Sequence, residues 1–75
     1  MKTFAEFYVK DYSGNIVPIC GSDGYYMLDA RNNIRTMVND CKSVARHKKI
    51  YNFVAVRIFK GSLLDPQYIT DLISL

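Results

Sequence analysis

The chain contains few of the residues that build disulfide frameworks and metal sites. Its two cysteines are Cys20 and Cys41, and its single histidine is His47. Two cysteines are too few for a disulfide scaffold or for a zinc site with four thiolate ligands. One histidine and scattered carboxylates form no ligand cluster either. We therefore expect a reduced protein that holds no metal and needs no cofactor.

Long apolar stretches and a large charge excess are also missing. The longest apolar runs, such as Phe53–Val56, are far shorter than the about 18 residues that a membrane span needs. The first seven residues lack the apolar segment of a secretory signal. A formal net charge of +3 excludes an acidic mimic of DNA and favours anionic partners only slightly. These features predict a cytoplasmic protein without membrane contact.

What is present is the composition of a small folded unit. The 75 residues are 49% hydrophobic and 23% charged, which predicts one packed domain over residues 1–75 rather than disorder. A domain of this size buries only about 60% of the surface that its unfolded chain exposes. We therefore expect marginal stability.

Hydrophobic periodicity predicts several strands and two helices. Alternation and turn residues place strands at 3–12, 16–20, 25–28 and 50–60, with turns at 13–15 and 21–24. The last of these strands is apolar on both faces, so we expect it to be central and covered twice. Asp65 followed by Pro66 predicts the start of a short helix over Pro66–Ile73. The expected fold class is α+β: a mostly antiparallel sheet of three or four strands with one long amphipathic helix and a short C-terminal helix, in the order ββ(β)αβα.

The long helix, predicted over Asp29–Lys48 with Asp29 as its N-cap, separates apolar and basic residues onto two arcs. The apolar arc contains Ile34, Met37, Val38, Cys41, Val44 and Ala45. The basic arc contains Arg31, Arg35, Lys42, Arg46 and Lys49, with Asn39 among them. Arg31 and Arg35 would lie at the positive end of the helix dipole, which disfavours them. Helix formation therefore does not explain these two arginines.

The sequence offers little for catalysis. Cys41 lies on the apolar arc and is expected to be a core residue, as buried free cysteines usually are. A thiol nucleophile needs a base within hydrogen-bond reach, and only a meeting of Cys20 with His47 would provide one. We therefore expect no enzyme and name no catalytic residue; thiol catalysis ranks last among the hypotheses.

Binding is the function class that remains. The leading hypothesis is a small protein-binding module that regulates or inhibits a larger partner with an acidic surface; small size and lack of motifs suggest a phage or mobile element as its source. The predicted contact residues are Arg31, Arg35, Lys42, Arg46, Lys49, Tyr25 and Tyr26. The alternative is nucleic-acid binding through the same basic arc, although no zinc-finger, RNP or helix-turn-helix pattern accompanies it. The plain alternative is a solvated helix face, and a homodimer is left open by the Ile- and Leu-rich C-terminus.

Overall fold

The computed structural model describes residues 2–21 and 24–75 of the chain. Its elements, in chain order, are β1 (Thr3–Lys10), β2 (Ile16–Pro18), β3 (Tyr25–Leu28), α1 (Ile34–His47), β4 (Phe53–Gly61), β5 (Pro66–Tyr68) and β6 (Ile73–Ser74). The strands form one antiparallel sheet with β1 and β4 side by side at its centre. The predicted α+β class and the antiparallel sheet with one long helix are confirmed.

Each outer position of the sheet is shared by two short strands. On one side, β2 and β3 both pair with β1; on the other side, β5 and β6 both pair with β4. Within the described residues the sheet is therefore four strands wide but contains six strands, whereas three or four were predicted. The difference arises because the last ten residues return to the sheet twice, which the sequence pattern did not indicate.

The turn that leads into β3 ends at Gly24, where the structure requires a glycine. The Gly24 N–H donates to the Gly21 carbonyl oxygen at 3.1 Å, which closes the turn predicted over 21–24; Ser22 and Asp23 lie outside the described residues. A Cβ atom on Gly24 would lie 2.3 Å from the Ile19 carbonyl oxygen. Only glycine allows the chain to pass Ile19 this closely.

Helix α1 starts five residues later than predicted. Asn33, not Asp29, is its N-cap: the Asn33 side chain accepts a hydrogen bond from the Thr36 N–H at 2.8 Å. Asp29 instead begins a turn, in which its carbonyl oxygen accepts the Asn32 N–H at 3.0 Å. Both residues can cap a helix, and the segment between them forms a separate turn that periodicity does not distinguish from a first helical turn.

The C-terminal helix predicted over Pro66–Ile73 is wrong. This segment contains β5 and begins β6, and the intervening residues hydrogen-bond to Ile58 of β4. Ile69 donates its N–H to the Ile58 carbonyl oxygen at 2.9 Å, and the Thr70 hydroxyl accepts the Ile58 N–H at 3.0 Å. Pro66 has no N–H to donate, and β5 tolerates this because it is an edge strand of the sheet. Sheet pairing with β4 thus overrides the local helix-start signal.

The core lies between α1 and one face of the sheet. Its fully buried members come from α1, β1, β3 and β4 and are Ala5, Phe7, Leu28, Met37, Cys41, Val56 and Ile58. β4 is central and buried on both faces, as predicted, although no C-terminal helix contributes to this burial among the described residues. The second face of the sheet is closed by its own side chains, so that Ala55 and Phe59 are nevertheless buried.

Candidate functional site

Three cations of the predicted contact set share one exposed side of α1. Arg35, Lys42 and Arg46 follow one another at spacings of seven and four residues, so they lie along one line of the helix surface. We call these three residues the basic stripe; it extends over about 16 Å of the helix. All three are exposed, and the ion pair found within the described residues involves none of them. The stripe therefore presents uncompensated positive charge.

Arg31 does not belong to this stripe. It lies in the turn before α1, where its guanidinium donates to both carboxylate oxygens of Asp29, at 3.0 and 2.8 Å. These hydrogen bonds, together with that from the Arg31 backbone N–H, lower the pKa of Asp29 to about 2. The same contact raises the pKa of Arg31. Arg31 therefore has a local structural partner, and its presence needs no binding partner to explain it.

Lys49 lies beyond the end of α1 and has a backbone role. Its φ of 60° is left-handed, and its N–H donates to the Arg46 carbonyl oxygen at 3.1 Å. The next residue, Ile50, donates its N–H to the Ala45 carbonyl oxygen at 2.9 Å. These two bonds form a Schellman motif with Lys49 at the position that usually holds glycine. Lys49 lines a cleft with Val9 and Asn52 and is not among the residues that line the groove of Lys42 and Arg46.

Tyr25 and Tyr26 are not beside the basic stripe. Both belong to β3, which pairs with β1, whereas Lys42 and Arg46 line a groove with Leu75 at the β6 edge. Three strand spacings, about 14 Å, separate those two edges of the sheet. Tyr25 also points to the sheet face that lies away from α1, where its ring meets Phe59 edge-on at 6.1 Å. The structure therefore does not join the two tyrosines with the basic stripe.

The groove at the β6 edge combines the basic stripe with apolar side chains. We call it the C-terminal groove; its volume is about 400 Å³, and it is lined by Lys42, Ala45, Arg46, Ile50, Tyr51, Phe53 and Leu75. The Leu75 N–H donates to the Val54 carbonyl oxygen at 3.0 Å, which fixes the chain end beside the helix. Tyr51 is 85% exposed and Leu75 is 43% exposed. The site thus has cations on its helix side and an accessible apolar and aromatic lining.

Sequence reasoning identified the cations of this groove but not its apolar side. Leu75 reaches the helix because β6 pairs with β4 at Ala55 and Val56, and β6 was assigned to a helix instead. Tyr51 fell within the strand predicted over 50–60, whereas β4 begins only at Phe53, so its place in a groove with Lys42 and Arg46 was not indicated. Only the three-dimensional position of β6 brings these residues together.

The sheet face away from α1 carries a polar and aromatic cluster that the sequence pattern did not indicate. The Glu6 carboxylate, 9% exposed, accepts hydrogen bonds from the hydroxyls of Tyr8 and Tyr68. Burial and the bond to Glu6 raise the pKa of Tyr8 to about 12. The Arg57 guanidinium lies 3.7 Å from the centre of the Tyr68 ring. These side chains meet one another's hydrogen-bonding and charge requirements. The cluster therefore covers this face of the sheet rather than presenting unpaired polar groups to a ligand.

The cysteines have separate environments. Cys41 is fully buried, and burial raises the pKa of its thiol to about 12, with a smaller contribution from Asp40. A thiol that stays protonated at neutral pH is a poor nucleophile, which confirms the core role predicted for this residue. Cys20 is exposed, and within residues 2–21 and 24–75 neither cysteine forms a hydrogen bond with His47.

In the part of the chain that the structure describes, no three histidine, cysteine or carboxylate side chains cluster as ligands for a metal ion. Nor does any helix among those residues have the length and apolar character needed to cross a membrane.

No protein-family model, curated protein or solved structure matches this chain.

Proposed function

We propose that this protein is a non-enzymatic binding module that regulates a larger protein by docking on it through the C-terminal groove and the basic stripe. The partner segment is acidic and carries an apolar side chain. The single observation that supports this most is the position of Lys42 and Arg46, two exposed cations without an acidic partner among the described residues, on the rim of an apolar groove.

The chemistry of the groove selects this class of partner. Carboxylates of the partner pair with Lys42 and Arg46, and such pairs steer association and fix the docking orientation. An apolar side chain of the partner enters between Ile50, Phe53 and Leu75 and supplies the buried area that charge pairs alone do not provide. Tyr51 adds a large and accessible ring at the border of the same groove.

The position of Arg35 also supports a binding role. It lies in the first turn of α1, where the structure has no acidic residue and the helix dipole disfavours a cation. Unlike Arg31, it has no carboxylate within the described residues to compensate for this. Carboxylates on an acidic partner surface offset the unfavourable interaction of Arg35 with the helix dipole. They also extend the contact along the whole basic stripe.

The test is affinity capture with two charge-matched variants. A tagged wild-type chain, Lys42→Glu/Arg46→Glu and Lys2→Glu/Lys60→Glu are each incubated with nuclease-treated bacterial lysate, and retained proteins are quantified by mass spectrometry. Lys2 and Lys60 are exposed and lie at the opposite end of the central strands, so the second variant controls for net charge. We expect one stoichiometric protein with the wild type and the control, and at least a tenfold loss with the groove variant.

The proposal is contradicted by equal retention of the captured protein on the groove variant. Equal loss from both variants also contradicts it, because general charge would then explain the capture. Circular dichroism of both variants verifies that they remain folded, as exposed substitutions usually permit.

A further inference from the structure

A second open site lies at the same end of the molecule, on the side of β1. We call it the tyrosine cleft; its volume is about 540 Å³, and it is lined by Val9, Lys10, Asp11, Tyr12, Lys49, Tyr51 and Asn52. Its two tyrosines come from different segments: Tyr12 from the turn after β1 and Tyr51 from the connection between α1 and β4. Tyr12 is fully exposed and Tyr51 is 85% exposed. Neither ring contributes to the core.

The backbone beneath these tyrosines is held by hydrogen bonds. The Lys10 N–H donates to the Asn52 carbonyl oxygen at 3.0 Å, and the Asn52 side-chain amide donates to the Lys10 carbonyl oxygen at 3.2 Å. This double link joins the segment that carries Tyr12 to the one that carries Tyr51. The backbone segments that carry the two rings are therefore held in place relative to each other. This lowers the conformational entropy lost when both rings bind one ligand.

The charged groups around the rings favour an anionic ligand. Lys10 and Lys49 are both exposed and line the cleft. The one carboxylate that lines it, Asp11, accepts the N–H groups of Ser13 and Asn15 at 2.9 and 2.8 Å and so belongs to the turn. Two accessible aromatic rings between two lysines combine base stacking with phosphate contacts.

We propose that the tyrosine cleft binds single-stranded nucleic acid, with bases stacked on Tyr12 and Tyr51 and the backbone phosphates near Lys10 and Lys49. A duplex keeps its bases paired and offers neither ring a free face. A mononucleotide supplies one base for two rings. The tyrosine cleft shares Tyr51 with the C-terminal groove, but its other lining residues, including Tyr12 and Lys10, do not belong to that groove. The proposal does not depend on the proposed function.

The test is fluorescence anisotropy with labelled twelve-nucleotide oligo(dT) and oligo(U) at low salt. We expect Tyr12→Ala and Tyr51→Ala each to weaken binding about tenfold, since base stacking on an aromatic ring contributes strongly to such sites. Tyr12→Phe keeps an aromatic face and is expected to bind as the wild type does. Tyr26→Ala, at the far edge of the sheet, is the matched control and should leave binding unchanged.

Charge and ligand class are tested in the same assay. Lys10→Glu should weaken binding more than Lys2→Glu, which lies about 26 Å away at the start of the central strand and changes net charge equally. A duplex of the same length and uridine monophosphate should each compete at least tenfold less well than the single strand.

Four results would overturn the proposal. They are absence of oligonucleotide binding at low salt, full binding by both alanine variants, equal loss with the two lysine variants, and equal competition by duplex or mononucleotide. The tyrosine variants are expected to fold because the replaced rings are exposed.

Discussion

On one side of α1, Met37, Cys41 and Ala45 are buried against the sheet, whereas on another side Arg35, Lys42 and Arg46 extend into solvent. The buried side holds the helix on the sheet through apolar area removed from water. The basic stripe buries no comparable apolar area, and at Arg35 the helix dipole interacts unfavourably with the positive charge of the side chain. If the proposed function holds, stability and binding are carried by different residues of the same helix. Substitutions on the two sides should therefore affect different measurements.

The largest expected effect is on the buried side. Met37→Ala removes a side chain that is 4% exposed and leaves a cavity, which should lower the free energy of unfolding by about 2–5 kcal/mol. Asn39→Ala, on the exposed side of the same helix, should change it by less than about 0.5 kcal/mol. Urea unfolding followed by circular dichroism measures both. Similar losses of unfolding free energy in the two variants would contradict the claim that the buried side of α1 carries its stability.

Alkaline pH should also act through buried groups. Burial raises the pKa of Cys41 from 9.0 to about 12, so the folded state binds this proton more tightly than the unfolded state. The resulting stability is fully present below pH 9 and is lost as pH rises toward 12. Tyr8, raised from 10.0 to about 12, adds to the loss above pH 10.

The measurement is the urea midpoint as a function of pH from 8 to 11. The wild-type midpoint should fall across this range, and Cys41→Ala should fall less steeply because it lacks the buried thiol. Identical slopes for the two proteins would show that Cys41 does not contribute to alkaline unfolding.

A smaller effect of opposite sign is expected at the end of α1. Lys49 adopts a left-handed φ of 60°, which costs a residue with a Cβ atom about 1 kcal/mol relative to glycine. Lys49→Gly should therefore raise the free energy of unfolding by about 1 kcal/mol, with Lys49→Asn in between. The same substitution removes a cation from the tyrosine cleft and should weaken oligonucleotide binding. A loss of stability in Lys49→Gly would contradict the assigned backbone role.

The sequence was sufficient for the elements whose signal is local and strong. The 3.6-residue period of Met37, Cys41 and Ala45 predicted both the helix and its buried side, and the alternation over β1 predicted a strand there. The sequence was insufficient where pairing with a distant strand determines the local structure. Asp65-Pro66 is compatible with a helix start, but hydrogen bonds with Ile58 make the segment a strand edge.

The site was predicted in part for the same reason. Spacing along one helix is enough to place Arg35, Lys42 and Arg46 together. The position of Leu75 depends on β6, and the grouping of Tyr12 with Tyr51 depends on the link between Lys10 and Asn52, which are 42 positions apart. Such contacts between distant segments have no local signature, so the apolar groove and the tyrosine cleft required the structure.

The most direct test of the division between stability and binding is Arg35→Glu, measured by urea unfolding and by titration against the captured partner. An acid in the first turn of α1 interacts favourably with the helix dipole, so stability should rise by about 0.5–1 kcal/mol, with Arg35→Gln in between. Affinity for the partner should fall, because the basic stripe would then carry a repulsive charge. Stability that rises while affinity falls is the predicted result; affinity that is unchanged or improved would contradict the proposal that this side of α1 binds the partner.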